Sequence, residues 1–576
     1  MRYNVESAVQ RGIAFLFTQQ TKAGCFEGRL SSSTFPTCAY AWIQLAQGQL
    51  PSTAQIDWFI NNQNADGTWG LDAANHPNSE ATLFAKLILE QVAKRQPTPR
   101  LDEALSRIPE YPLNEALNKL AYAAFGEFDW NKLTISKRML PVMKLVPRLL
   151  KTFPFLQNRL KPPRHILPPV DLFGTPMFEN LFIAEQYTLV PVFIMVELNT
   201  TKRAEVIDSL YDWLKSHILS DGSWFRVNYI TSLSVLALLE LQKHRGDDAE
   251  LGAMIERGLA WLETTRNPDG GCREAINLNV WDTGLSVSAL STIELAEGTD
   301  DISSACRWLI EVQNPDGGWA FSGLPDGSLP SDADDTALAT LALLRFQGRS
   351  ALPQERQYAE AVTRGVNWLR TQQGKNGSWA TYIPGQGDVG CVSITAHAID
   401  ALLAVGDMDA EINRACEWLK GQISSHGYWT DLWLAKHTYG TANAIIALVK
   451  SRASLSTSPV AEIERGVDWL ESVQNSDGGW GEDMFGARTE STVEQTAWST
   501  YALLLANPKS QAAAKGLDFL LDRQKSDGSW DSGCVGIYWE VIGGYVDPIY
   551  ASVFPLLALS RSLEATKGHP TTGECS

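Results

Sequence analysis

A unit of about fifty residues recurs along this chain, and repetition at that period constrains the fold more tightly than any single motif does. Each copy runs from an aromatic-Leu pair in helix-forming surroundings, often through a Gln, to a turn that ends in Trp. The copies read Trp58…Gln63…Gly67-Thr68-Trp69, Trp308-Leu309…Gln313…Gly318-Trp319, Trp368-Leu369…Gly377-Ser378-Trp379, Trp418-Leu419…Gln422…Trp429, Trp469-Leu470…Gln474…Trp480 and Phe519-Leu520…Gln524…Trp530. Weaker copies end at Trp224 and Cys272, and a degenerate one runs from Phe15-Leu16 to Phe26. The Asn/Ser-Asp-Gly segments are turn signals whose Gly takes backbone angles other residues resist. The Trp residues that end these repeats read as structural at the turns, with the Gln amide stacked on the indole.

After each turn comes an apolar run at helical spacing, such as TFPTCAYAWIQLA, DDTALATLALLRF or EQTAWSTYALLLA. These runs are hydrophobic nearly all round and predict buried helices, whereas the aromatic-Leu stretches carry charge on one face and predict outer ones. Alternating outer and inner helices predict an all-α chain of α/α barrels built from repeated helix pairs. The inner helices share a Thr: Thr283, Thr336, Thr395, Thr441 and Thr496. Two residues before it stand Trp281, Asp334, Ser393, Tyr439 and Glu494, and two after it Leu285, Leu338, His397, Asn443 and Trp498. Equivalent positions in a ring of repeats face one axis, so Trp281, Asp334, His397, Tyr439 and Glu494 are expected to project toward one cavity.

Asp334 lies in Ser331-Asp332-Ala333-Asp334-Asp335-Thr336, directly before an apolar helix. Taken alone, such a segment is an N-cap with acidic first-turn residues that complement the helix dipole. A net charge of -18 argues against non-specific nucleic-acid binding. The eight cysteines show no Cys-x-x-Cys pair and no zinc spacing, so disulfides and metal thiolate sites are not expected. The first twenty or so residues lack the basic head and plain apolar run of a signal peptide, and no apolar stretch is long enough to span a bilayer. A reducing cytoplasm fits these features.

Together the repeats, the Ser331–Asp335 segment and Thr395-Ala396-His397 resemble the QW and DxDD motifs of the squalene-hopene and oxidosqualene cyclases, over nearly the whole chain. The resemblance implies two α/α barrels with the active-site cavity between and within them, and an N-terminal helix packed on the C-terminal barrel. The expected division is residues 1–18 with 275–576 as the barrel carrying the acid, and residues 19–274 as the second barrel. It implies class II terpene cyclisation with Asp334 as the acid that protonates the substrate, Asp332 and Asp335 completing the motif, and His397 as partner. An alkene is a very weak base, so its proton donor must be strongly acidic and shielded from water. The cation that follows needs aromatic faces in place of nucleophiles. Trp281, Phe321, Tyr382, Trp433 and Tyr439 each match an aromatic of the family's cavity, and Trp498 and Trp539 are further candidates. Three features depart from the family: Ser393 where an acidic residue is usual, a short Tyr382–Ser393 loop, and Glu494 where a small polar residue is usual.

Between Asn131 and Arg164 the chain has no acidic residue, but Lys144, Arg148, Lys151 and other basic residues interleave with large apolar ones. That composition fits a surface lying in a bilayer interface. The resulting expectation is a peripheral, monotopic enzyme on the cytoplasmic side of the membrane. It would take a polyprenyl or meroterpenoid substrate, with no metal and no cofactor, magnesium entering only with a diphosphate substrate, and with a homodimer as an option. Squalene-to-hopene cyclisation and cyclisation of a prenyl diphosphate remain alternatives. A protein prenyltransferase β-subunit would need a zinc triad that the inner helices lack. A helical repeat scaffold gives no reason for an acid, a His and a Tyr to converge.

Overall fold

The computed structural model describes residues 2–139, 164–246, 248–292, 299–346, 355–382, 389–538 and 543–567. The core of the basic apolar segment, 140–163, therefore lies outside the described residues. The chain divides into two compact units, Met1–Leu30 with Asn277–Ser576, and Ser31–Ile276. Among the described residues no helix is long and apolar enough to cross a membrane.

In the first unit, six inner helices pack side by side in a closed ring: Asn279–Ser291, Ala333–Phe346, Val392–Val405, Lys436–Lys450, Val493–Ala506 and Tyr550–Lys567, the last returning to the first. The outer helices are Arg2–Thr18, Thr299–Glu311, Glu355–Gln372, Asp409–Gly421, Val460–Ser472 and Gln511–Arg523. The outer row is amphipathic and the inner row buried nearly all round, the division that the charge pattern predicts.

The shared Thr has a definite task. Its hydroxyl accepts the backbone N–H of the turn residue of its own repeat: Trp319 to Thr336, Trp379 to Thr395, Trp429 to Thr441 and Trp480 to Thr496, all at 2.9–3.1 Å. The indole N–H of each repeat Trp then reaches back to a carbonyl on the preceding outer helix, as from Trp319 to Leu309 and from Trp379 to Leu369. Stacking on the indole, the expectation for the repeat Gln, leaves out what its amide N–H does. Gln313, Gln373 and Gln474 donate both to the turn Gly carbonyl and to a carbonyl of the next outer helix, at Ala361, Glu411 and Ala512. Each Gln therefore ties one repeat to the following one. In the turn itself Gly377 sits at φ +95°, and a Cβ there would lie 2.3 Å from Arg414 O.

The N-terminal segment completes this ring. Gln524 donates to Ala8 O of the Arg2–Thr18 helix, and Gln20 donates to Asp301 O. Phe26 N–H is received by Thr283 Oγ1, so the degenerate first copy supplies the turn for the Asn279–Ser291 helix.

The second unit follows the same grammar. Thr34–Ala46 packs on Ser79–Arg95 and on Asn228–Arg245, which packs on Ile183–Asn199. The outer helices include Thr53–Asn61, Pro99–Ser106, Ala204–Ser216 and Ala249–Thr264. Trp69 N–H bonds Thr82, Trp224 N–H bonds Thr231, and Cys272 N–H bonds Thr37, where Cys replaces the usual Trp.

Thr231→Val keeps the shape of a buried side chain but leaves Trp224 N–H without an acceptor. Stability should fall by about 1–3 kcal/mol, whereas Thr231→Ser should recover most of the loss. Equilibrium denaturation of both variants checks this.

Candidate active site

The Ser331–Asp335 segment enters the Ala333–Phe346 helix from an isolated bridge between Trp319 and Asp332. Asp332 Oδ1 accepts the N–H of Asp335 at 2.8 Å. It thus caps the helix, as the local reading of the segment requires. Asp334, one residue into the helix, points elsewhere: its Oδ1 lies 2.6 Å from His397 Nδ1 on the neighbouring Val392–Val405 helix. Both side chains are deep in the ring yet retain 10 and 13% exposure, for Asp334 and His397 respectively. A ligand atom can therefore touch them.

Burial raises the pKa of Asp334, the His397 imidazole pulls it back, and the Asp431 carboxyl pushes it up again; the net shift is upward. Burial would strip His397 of its proton, but Asp334, Asp431 and Asp400 outweigh it and raise its pKa. Asp400 is itself driven down to about 2, since the pull of Lys450 and Arg345 exceeds the effect of burial. Those cations lie 2.7 and 3.1 Å from Asp400 Oδ2. The acidic side chains around His397 thus favour its protonated form.

The inner helices also gather the aromatic residues. The Trp281 and Tyr439 rings lie 5.8 and 6.4 Å from the His397 ring, centroid to centroid. Trp498 meets Tyr439 edge-on at 4.9 Å, and Phe554 joins both. The indole N–H groups of Trp281 and Trp498 are buried without an acceptor among the described residues. Phe321 is half-buried, and its carbonyl receives Val280 N–H, beside Trp281. Trp433 Nε1 donates to Thr381 Oγ1 at 3.2 Å, next to the buried Tyr382, while the Thr381 carbonyl receives Ala333 N–H. Trp539 lies outside the described residues. Glu494 is brought elsewhere: it sits on the Val493–Ala506 helix, opposite the Asp334 helix in the ring, with Oε1 accepting Gly533 N–H at 2.9 Å. It is fully buried, and burial pushes it up to about 8.

Several residues escape the sequence reading. Asp431 accepts Ser393 N–H at 2.9 Å and so places a carboxylate at the helix end where Ser393 lacks one. Its signal is only a position two residues after the turn Trp429. Phe554 is one apolar residue in an apolar helix and carries no signal. Asp282 and Asp547 form a second buried acid pair. Among the described residues no group of three or more His, Cys, Asp or Glu side chains is arranged to hold a metal ion.

Comparison with known proteins places this geometry in a family. Residues 278–564 match the family model of the squalene-hopene cyclase C-terminal domain. The chain is 26% identical to the squalene–hopene cyclase of Alicyclobacillus acidocaldarius, over 97% of each chain. It is 25% identical to that of Zymomonas mobilis, over 97% of this chain and 95% of the relative. The ent-copalyl diphosphate synthase from Streptomyces platensis shares the fold, with a TM-score of 0.53 and 19% identity over 97% of this chain and 99% of that one. The chain therefore belongs to the squalene-hopene cyclase family of class II terpene cyclases, enzymes that open polyprenyl cyclisation with a proton.

Proposed function

We propose that Asp334 is the Brønsted acid of this cyclase and that His397 sets its strength. The 2.6 Å contact between His397 Nδ1 and Asp334 Oδ1 carries this reading. With Oδ1 occupied by an imidazolium N–H, the transferable proton sits on Oδ2. Burial favours the protonated form of Asp334 before reaction, and the imidazolium beside it stabilises the carboxylate once the proton has gone. Asp332 and Asp335 hold the helix end in place.

The proton adds to a terminal alkene or epoxide of a folded polyprene, and ring closure moves the positive charge along the chain. Trp281, Tyr439 and Trp498, with Phe321, Tyr382 and Trp433, offer ring faces to that charge without trapping it. The chemistry asks for no resident cofactor, because the proton is supplied by the protein.

For the substrate we favour a polyprene with a polar head, a prenylated aromatic acid ahead of a prenyl diphosphate. Supporting this is Glu494, fully buried with its Oε2 unpartnered among the described residues, a carboxyl oxygen that a pure hydrocarbon would leave uncompensated. The basic composition of 131–164 supports delivery from an anionic membrane surface by a peripheral enzyme. Competition between squalene and a prenylated aromatic acid, with and without EDTA, separates the substrates. Turnover of squalene alone would overturn the polar-head reading, and loss of activity on chelation would point to the diphosphate.

Asp334→Asn should lower turnover by about 10³-fold or more while leaving the unfolding midpoint close to wild type. Retention of most cyclase activity would refute the acid assignment.

Glu494 has a folded-state pKa far above its ordinary value of 4.5. Below that ordinary value it is neutral in folded and unfolded chains alike, so it has no effect on stability. As pH rises toward 8 the unfolded chain ionises it and the folded chain resists, which destabilises the fold. Glu494→Gln should therefore raise the melting temperature at pH 8 and much less at pH 5; an equal effect at both would contradict the assigned shift.

The triple variant Lys144→Glu, Arg148→Glu, Lys151→Glu should bind anionic vesicles several-fold more weakly at low salt, measured by co-sedimentation.

A further inference from the structure

Across the ring from the acid, one helix carries two polar atoms that the described residues leave unused. Trp498, on the Val493–Ala506 helix, meets Tyr439 edge-on at 4.9 Å and Phe554 at 5.4 Å, rings that stand on the inner helices to either side. Tyr439 in turn adjoins His397, and His397 adjoins Trp281. Rings from five of the six inner helices can meet in this way only inside the ring of helices. Glu494 lies one helical turn before Trp498, and residues four apart share a helix face. It therefore belongs to the same interior, at the N-terminal end.

Both side chains are buried, at 0% exposure for Glu494 and 3% for Trp498. Glu494 Oε1 accepts Gly533 N–H at 2.9 Å, whereas Oε2 has no partner among the described residues, and neither has Trp498 Nε1. Buried polar atoms left in that state are unfavourable, and packing alone does not ask for an indole N–H, since a Phe offers similar ring contacts. Space beside the carboxyl is kept open by a glycine: a Cβ at Gly533 would stand 3.1 Å from Oε2 and 2.7 Å from Thr492 Cγ2. Burial disfavours the charged form of Glu494, and Oε1 is already the acceptor for Gly533, so the carboxyl proton sits on Oε2. The two unused atoms are then both donors, one turn apart on one face. A carboxyl group offers one acceptor oxygen to each. Two neutral donors can balance a single negative charge, but not the several charges of a diphosphate.

We infer that Glu494 and Trp498 form the subsite that holds the carboxyl of the substrate's head group, across the ring from Asp334. The inference rests on the polar-headed substrate proposed above and gives that head a place. Glu494 Oε2–H donates to one oxygen of the head and Trp498 Nε1–H to the other, with no covalent bond made or broken there. The indole N–H lies at the ring edge, so the face of Trp498 stays available to the cation. Both residues determine which substrate is held and in what position, and the proton that starts the reaction still comes from Asp334.

Equilibrium binding to the full-length Asp334→Asn protein tests this without turnover. The two ligands are a prenylated aromatic acid and the same molecule lacking only its carboxyl. The parent should bind the acid about tenfold or more tightly than its counterpart. Adding Trp498→Phe, which keeps the ring contacts, or Glu494→Leu should reduce that preference to about twofold or less. Glu494→Gln, whose amide still accepts from Gly533 and still donates, should keep most of it. The ligand without a carboxyl is the internal standard, because general damage to the cavity weakens both ligands alike. A preference that survives in both Trp498→Phe and Glu494→Leu would overturn the subsite while leaving the polar-headed substrate in place. No preference in the parent would overturn the polar-headed reading itself and the subsite with it, so the two failures read differently.

Discussion

Six inner helices present their N-termini on one rim, and the chemistry of the first unit depends on that. The contacts among Trp281, His397, Tyr439, Trp498 and Phe554, all in the N-terminal halves of their helices, require these helices to run parallel. Each contributes a partial positive charge and unsatisfied N–H groups at that end. Carboxylates collect there in answer. Asp332 caps the Ala333 helix, Asp431 the Val392 helix, and Glu482 receives the N–H groups of Lys436 and Thr438. An acid placed at such a rim can be buried enough to stay protonated and still leave a stabilised anion when it reacts.

The rim exists because the repeats are tied locally. A Thr hydroxyl fixes the turn to its inner helix, the indole fixes it to the preceding outer helix, and the Gln amide fixes it to the next. None of these bonds reaches far in the ring. Repetition of the three brings the N-termini together, and the N-terminal segment closes the last gap through Gln524, Gln20 and Phe26.

That local grammar is why so much was legible in the sequence. The shared Thr gave a register, the register put Asp334 and His397 on one face, and both were found in contact. The same register treats Glu494 as equivalent to Asp334, although the ring sets them on opposite sides; a one-dimensional alignment has no azimuth. Asp431 and Asp547 were invisible for a related reason. Each acts on a backbone or side-chain group of another repeat, and neither occupies the shared register. Asp282 stands beside Trp281 in the sequence, but only the fold pairs it with Asp547, 265 residues later. The role of Gln was hidden because hydrogen bonding to the next helix is a tertiary contact.

The central claim is that resting Asp334 is a neutral carboxylic acid beside a cationic His397. Infrared difference spectroscopy between the wild type and Asp334→Asn, at neutral pH with and without deuterium exchange, reads that state directly. A protonated carboxyl C=O band that shifts on exchange and is missing in the variant is the predicted result. A carboxylate band in its place, already present before any substrate is added, would contradict the account.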